Sequence, residues 1–188
     1  MFYHASSTAD IKTLIPFSSG HGEPLIYFSS KRENTLVYLS NPVEKYCKEI
    51  GFEPSDRYYR FMSYRFTKDN ILEVLEYWPN ALEETYAGVS GYIYATPQLP
   101  NAKIMNIPYV TASETPVTIE TIEYVPDAFL AIKQAEKDGK IKIKTYSENS
   151  ADSLEQIKKL VCREYEKAQT IPAYKAFLEA KFNRFIQT

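Results

Sequence analysis

Short apolar runs broken by polar and Pro-containing segments fill the first two thirds of the chain, and longer helical stripes fill the last third. Residues 1–4 read as a short strand. Ile11 and Leu14 fall three apart, which predicts one or two helical turns over residues 8–14, stopped by Pro16. Ser18-Ser19-Gly20-His21-Gly22-Glu23-Pro24 has the composition of a loop. Residues 25–29 form an apolar strand. Ser30 is placed to cap a helix carrying Leu36, Val37 and Leu39. Asn41-Pro42 opens another helix through Tyr46 and Cys47, and Gly51 ends it.

The middle third is aromatic and basic. Residues 56–66 include Arg57, Tyr58, Tyr59, Arg60, Tyr64 and Arg65, and read as a strand with alternating faces. Residues 69–77 predict a helix, with Asp69 at its cap and Ile71, Leu72 and Leu75 on one side. Residues 91–95 predict a strand. Pro97, Pro100 and Pro108 mark a long irregular connection, of a length that compact domains keep for functional loops. Residues 116–124 alternate as one strand. Pro126-Asp127 starts a helix through Leu130, Ile132 and Ala135, which Gly139 ends. Residues 141–146 form a strand with Lys140, Lys142 and Lys144 outward, a pattern that protects a sheet edge. Asp152 or Ser153 caps a helix with Leu154, Ile157, Leu160, Val161 and Tyr165 at helical spacing. Pro172 breaks it, and Tyr174, Phe177, Leu178, Phe182 and Phe185 make a second stripe. Both stripes read as core-packing faces.

The 188 residues fit one domain with a sizeable core. A net charge of -2 supplies no overall basic field for nucleic acid. Cys47 and Cys162 have no metal-like spacing to each other or to His4 and His21, so they read as free thiols of a reducing, cytoplasmic compartment, with no metal site. No apolar run approaches the roughly 20 residues of a membrane span. Sixteen tyrosines against one tryptophan suit half-buried strands and ligand pockets.

Three segments carry candidate chemistry: Tyr3-His4-Ala5-Ser6, Leu25-Ile26-Tyr27-Phe28-Ser29 and Asn34-Thr35-Leu36-Val37-Tyr38. Together they resemble the ADP-ribosyltransferase superfamily. The likeness is to its His-Tyr-Glu branch, which includes poly(ADP-ribose) polymerases and the small rifamycin ADP-ribosyltransferases. The resemblance implies that His4 binds the ribose of NAD, which is consumed as a substrate. The Ala5 main chain and the Thr35 hydroxyl hold the carboxamide, and Tyr27 and Tyr38 sandwich the nicotinamide. Alanine stands where the family usually has glycine. A ring carrying positive charge suits two tyrosine faces. The third element is an acid beside the ribose carbon. Ser113-Glu114-Thr115-Pro116-Val117-Thr118-Ile119 matches best, which makes Glu114 the catalytic candidate, with Glu120 and Glu123 as alternatives on the same predicted strand.

The fold so implied is α+β: two small antiparallel sheets splayed around an NAD-type cleft, with helices outside. Residues 1–188 form one such domain, and residues 152–188 are its C-terminal helical extension. The implied function is an NAD-dependent mono-ADP-ribosyltransferase or NAD glycohydrolase. Its acceptor, a protein, a small molecule or a nucleic acid, stays open. The alternative is a catalytically inert ligand-binding or interaction module on the same fold. His21, between two glycines, reads either as a lid residue or as a solvated loop. Arg57, Arg60 and Arg65 read either as pyrophosphate contacts or as a solvated strand face.

Overall fold

The computed structural model describes residues 1–18, 23–54 and 57–187. Its strands are β1 (Phe2–Ser6), β2 (Thr13–Leu14), β3 (Ile26–Ser29), β4 (Tyr64–Phe66), β5 (Leu72–Leu75), β6 (Gly91–Thr96), β7 (Lys103–Ile104), β8 (Val110–Ser113), β9 (Val117–Thr118), β10 (Thr121–Val125) and β11 (Ile141–Lys144). The helices are α1 (Pro42–Glu49), α2 (Ala81–Tyr86), α3 (Ala128–Lys137), α4 (Ala151–Ala168) and α5 (Pro172–Ile186), with 3₁₀ turns at Glu33–Tyr38 and Tyr146–Glu148. The protein is thus α+β, with several antiparallel sheets and helices. His21 and Asp56 lie outside the described residues, so the loop reading around His21 and the start of the strand expected over residues 56–66 do too.

The chain packs as two compact units. The first comprises Met1–Leu39, Phe66–Leu72 and Tyr86–Lys142, and the second Ser40–Arg65, Glu73–Thr85 and Ile143–Thr188. In the first unit a six-stranded sheet runs in the order β10-β6-β1-β3-β8-β7. One of its faces packs Ile26 and Phe28 with Leu14 and Val117 of the small β2-β9 sheet. The 3₁₀ turn Glu33–Tyr38 buries Leu36 and Val37, and the Tyr86 hydroxyl donates to the Val37 carbonyl (3.2 Å). Gly91 lies where close packing forbids a side chain: a Cβ there would meet a Leu39 methyl at 2.7 Å.

Several local readings change, each for a physical reason. Residues 8–14 are not helical. Asp10 sits at φ 56°, and the segment leaves it to pair Thr13 with Thr118 and Leu14 with Val117. The helix expected over residues 69–77 is instead the second strand of a hairpin. Asn70 (φ 56°) turns the chain, Thr67 N–H donates to Ile71 O (2.9 Å), and Leu72 and Val74 alternate inward. Residues 116–124 are two strands with different partners. Ile119 N–H donates to Lys12 O, and the next residue, Glu120, donates its N–H to Ala95 O. The long irregular connection contains β7, paired to β8 through Lys103–Ala112 and Ile104–Thr111. Ser30 does not cap the turn that follows it; Arg32 stands at that position without a capping side-chain bond. The cap of α4 is Ser150, whose hydroxyl accepts from Ser153 N–H at 3.2 Å. The caps Asn41 on α1 and Asp127 on α3 lie where the sequence places them.

In the second unit α4 and α5 carry most of the core. Phe177, Leu178, Phe182, Ile157 and Val161 pack with Phe61, Trp78, Val43 and Cys47. Tyr174 is wholly buried, stacks on Tyr59 at 4.2 Å between ring centroids, and donates its hydroxyl to Glu164 at 3.1 Å. Burial, reinforced by the Glu164 charge, drives the Tyr174 phenol far above its ordinary value. β11 is an edge strand, with Lys142 exposed.

The turn after β11 carries a pH-sensitive tie. Glu148 accepts from both the Thr145 hydroxyl and the Thr145 N–H at 2.6 Å, and these bonds hold its carboxyl below the ordinary 4.5. A carboxyl lowered on folding stabilises the fold above its unfolded value and loses that contribution as pH falls through the folded one. Glu148→Gln is therefore expected to flatten the acid limb of a Tm-against-pH curve below about pH 4.5 and to leave the neutral limb in place. An unchanged acid limb would count against this tie.

Candidate functional site

β1 is fully laddered on one side and barely on the other. Against β6 it pairs at five positions, from Phe2–Thr96 to Ser6–Tyr92. Against β3 it pairs only at Tyr3–Ser29. Past that pair the two strands are linked by a side chain: His4 Nδ1 lies 2.9 Å from the Tyr27 carbonyl oxygen. A carbonyl only accepts, so Nδ1 donates in this bond. The His4 ring also leans on Phe28, with 5.8 Å between centroids.

The pairings place the candidate residues on faces. Directly opposed residues in a sheet share a face, and alternate residues along a strand share one. Glu123 opposes Ile93, and Ile93 opposes Ala5; Tyr27 opposes Ala112, and Ala112 opposes Lys103. Extending the Tyr3–Ser29 register by two residues sets Ala5 against Tyr27. Ala5, Tyr27 and Glu123 therefore fall in one cross-sheet row, and His4 and Phe28 in the next, on the other face. His4 meets Tyr27 through the Tyr27 main chain, not through its ring.

Tyr27 is 40% exposed between the buried Ile26 and Phe28, and Tyr38 is 38% exposed at the end of its 3₁₀ turn beside the buried Val37. Two tyrosines with that much open ring offer aromatic faces for a ligand to cover. Thr35 is buried and donates its hydroxyl to the Arg32 carbonyl at 2.7 Å, which closes the first turn of the 3₁₀ segment. Glu114 follows the last paired residue of β8 and accepts at 3.2 Å from Lys103, the lysine in the row of Tyr27 and Ala112; Glu23 stands 3.9 Å from the same lysine. Glu120 immediately precedes β10, and Glu123 makes a two-pronged bond to Arg32. That bond, opposed by partial burial, raises the Arg32 guanidinium further above its ordinary value. For the neighbouring Glu33, burial pushes the carboxyl up, but Lys140 at 2.8 Å overrides it and holds it below the ordinary value. Arg57, Arg60 and Arg65 belong to the second unit, where Arg65 bonds Glu73 at 2.7 Å.

One polar residue has no counterpart in the sequence reading. Asn34 is 4% exposed, and neither its side-chain oxygen nor its nitrogen has a hydrogen-bond partner. A polar residue between Glu33 and Thr35 gives no signal of burial; only the packing of the 3₁₀ turn reveals it. An unpartnered buried amide costs on the order of 1–3 kcal/mol. Asn34→Leu, close in shape and apolar, is expected to raise stability by about 1 kcal/mol in a denaturant titration. A clear loss of stability would show that the amide is satisfied in solution.

Among the described residues no group of three or more His, Cys, Asp or Glu could hold a metal ion, and no helix is long and apolar enough to cross a membrane. No family model, curated protein or solved structure matches the chain.

Proposed function

We propose that the first unit binds NAD where β1 and β3 diverge and cleaves its nicotinamide–ribose bond, as a mono-ADP-ribosyltransferase or an NAD glycohydrolase. The observation that carries this reading is the parting of the two strands after Tyr3–Ser29, bridged by the His4–Tyr27 carbonyl bond, with the Tyr27 ring open on β3 and the Tyr38 ring open at the end of the 3₁₀ turn that follows it. Strands that diverge within a sheet leave main-chain groups and side chains for a ligand to engage. His4, held against the Tyr27 main chain at that gap, is the residue assigned to the ribose. Tyr27 and Tyr38 offer aromatic faces to a cationic ring.

In the reaction the C–N bond between ribose and nicotinamide breaks and its electron pair leaves with neutral nicotinamide. The ribose gains oxocarbenium character, which a carboxylate stabilises. An acceptor hydroxyl or amine, or water, then adds to the same carbon and gives up a proton. Glu114 is the acid assigned to that carbon. Its partner Lys103 lies in the row of Tyr27 and is half exposed, so exchanging that ion pair for a cationic transition state costs little.

A second reading has its own support. The Glu114–Lys103 ion pair and the alanine after His4 also suit a module that binds NAD without turnover. Incubation with millimolar NAD and chromatographic measurement of free nicotinamide separates the two. Release above the protein-free rate is expected. Binding without release would replace the first reading with the second, and neither binding nor release would end both.

A further inference from the structure

The bond between Arg32 and Glu123 joins distant parts of the first unit. Arg32 follows β3, directly after the strand that carries Tyr27, and Glu123 sits on the edge strand β10. Nε of Arg32 donates to Oε2 of Glu123 at 2.9 Å, and Nη2 donates to Oε1. That planar fork fits a carboxylate or a phosphate equally well.

Three features make this partner replaceable. First, β10 does not depend on the bond, because it pairs with β6 at five positions from Thr121–Ala95 to Val125–Gly91. Second, the Glu123 side chain is 50% exposed while that of Arg32 is 27% exposed, so the carboxylate is the open half of the pair. An ion pair of that exposure contributes little to stability. Third, the adjacent acid does not compete: Glu33 is bonded to Lys140 at 2.8 Å, while Lys31 lies over the Tyr109 ring at 3.9 Å and adds positive charge beside Arg32. Glu123 also lies in the cross-sheet row of Ala5 and Tyr27, on the face that carries the Tyr27 ring.

We propose that Arg32 is the seat for a diphosphate group and that Glu123 occupies it as an internal competitor until such a ligand binds. A diphosphate oxygen pair accepts the two N–H donors, and the Glu123 carboxylate swings into solvent. No covalent bond changes. The assignment of that diphosphate to NAD rests on the function proposed above; the seat itself does not.

The test uses the full chain with inorganic pyrophosphate and, separately, NAD, each titrated calorimetrically at low and high salt. Glu123→Gln removes the competing charge and is expected to tighten pyrophosphate binding about two- to fivefold. Arg32→Gln is expected to abolish it, and the wild-type affinity is expected to fall with salt. Glu123→Asp, which keeps the charge one methylene shorter, is expected to fall between wild type and Glu123→Gln, and serves if the glutamine variant unfolds. Pyrophosphate affinity indifferent to both positions would overturn the seat, whatever NAD does. The expected pyrophosphate pattern with no NAD binding would keep the seat and end the NAD reading.

Discussion

Phe177→Ala is expected to destabilise the protein by about 3–5 kcal/mol, the largest effect of any single truncation in the second unit. Phe177 is wholly buried at the centre of an aromatic cluster. Its ring centroid lies 5.6 Å from Phe61, 5.6 Å from Trp78, 6.0 Å from Tyr46 and 6.3 Å from Phe182. Deleting the ring removes the transfer free energy of its own surface and leaves a cavity whose rigid aromatic walls collapse poorly. Against a total of about 5–15 kcal/mol, such a loss takes a large part of the stability. Phe177→Leu, which fills part of the volume, is expected to cost less than half as much. Urea titrations followed by Trp78 fluorescence measure both. A midpoint for Phe177→Ala within error of wild type would contradict this account of the core.

Glu114→Gln is expected to lower the rate of nicotinamide release by about 100- to 1,000-fold while the KM for NAD changes little. The reasoning is electrostatic. A carboxylate that stabilises the ribosyl cation acts in the transition state, whereas the ground-state contacts are assigned to His4, Ala5, Thr35, Tyr27 and Tyr38. The glutamine keeps the shape and still accepts a bond from Lys103. Steady-state release of nicotinamide reads both constants. An unchanged kcat would move the role to Glu120 or Glu123. Glu120 stands just before β10, with its main chain bonded to Ala95, and Glu123 is bonded to Arg32.

The elements bounded by local chemistry were legible from the sequence. Asn41-Pro42, Asp127 with Gly139, and the C-terminal stripes define α1, α3, α4 and α5, because caps, Pro, Gly and helical spacing act within a few residues. The short strands were less legible. Ile71, Leu72 and Leu75 fit a helical face as well as Leu72 and Val74 fit a strand, and the choice is made by Asn70 turning the chain back on β4. Residues 116–124 alternate without a break, yet the partner changes between Ile119 and Glu120, which only distant strands decide. β2, β7 and β9 are two residues long and carry no periodicity.

The candidate site divides in the same way. Its aromatic members stand out as residue types, and the exposed rings of Tyr27 and Tyr38 are where a ligand can reach them. Pairing is not written in a residue type. Nothing local announces that β1 leaves β3 after one pair, that Arg32 reaches Glu123 across 91 residues of chain, or that the Asn34 amide is buried without a partner.

Calorimetric titration is expected to show saturable binding below millimolar NAD in wild type, weakened at least tenfold in Tyr27→Ala while the unfolding temperature of that variant stays near wild type, because the half-exposed ring adds little to the core. Absence of binding to wild type at millimolar NAD, or equal affinity in Tyr27→Ala, would contradict the NAD reading.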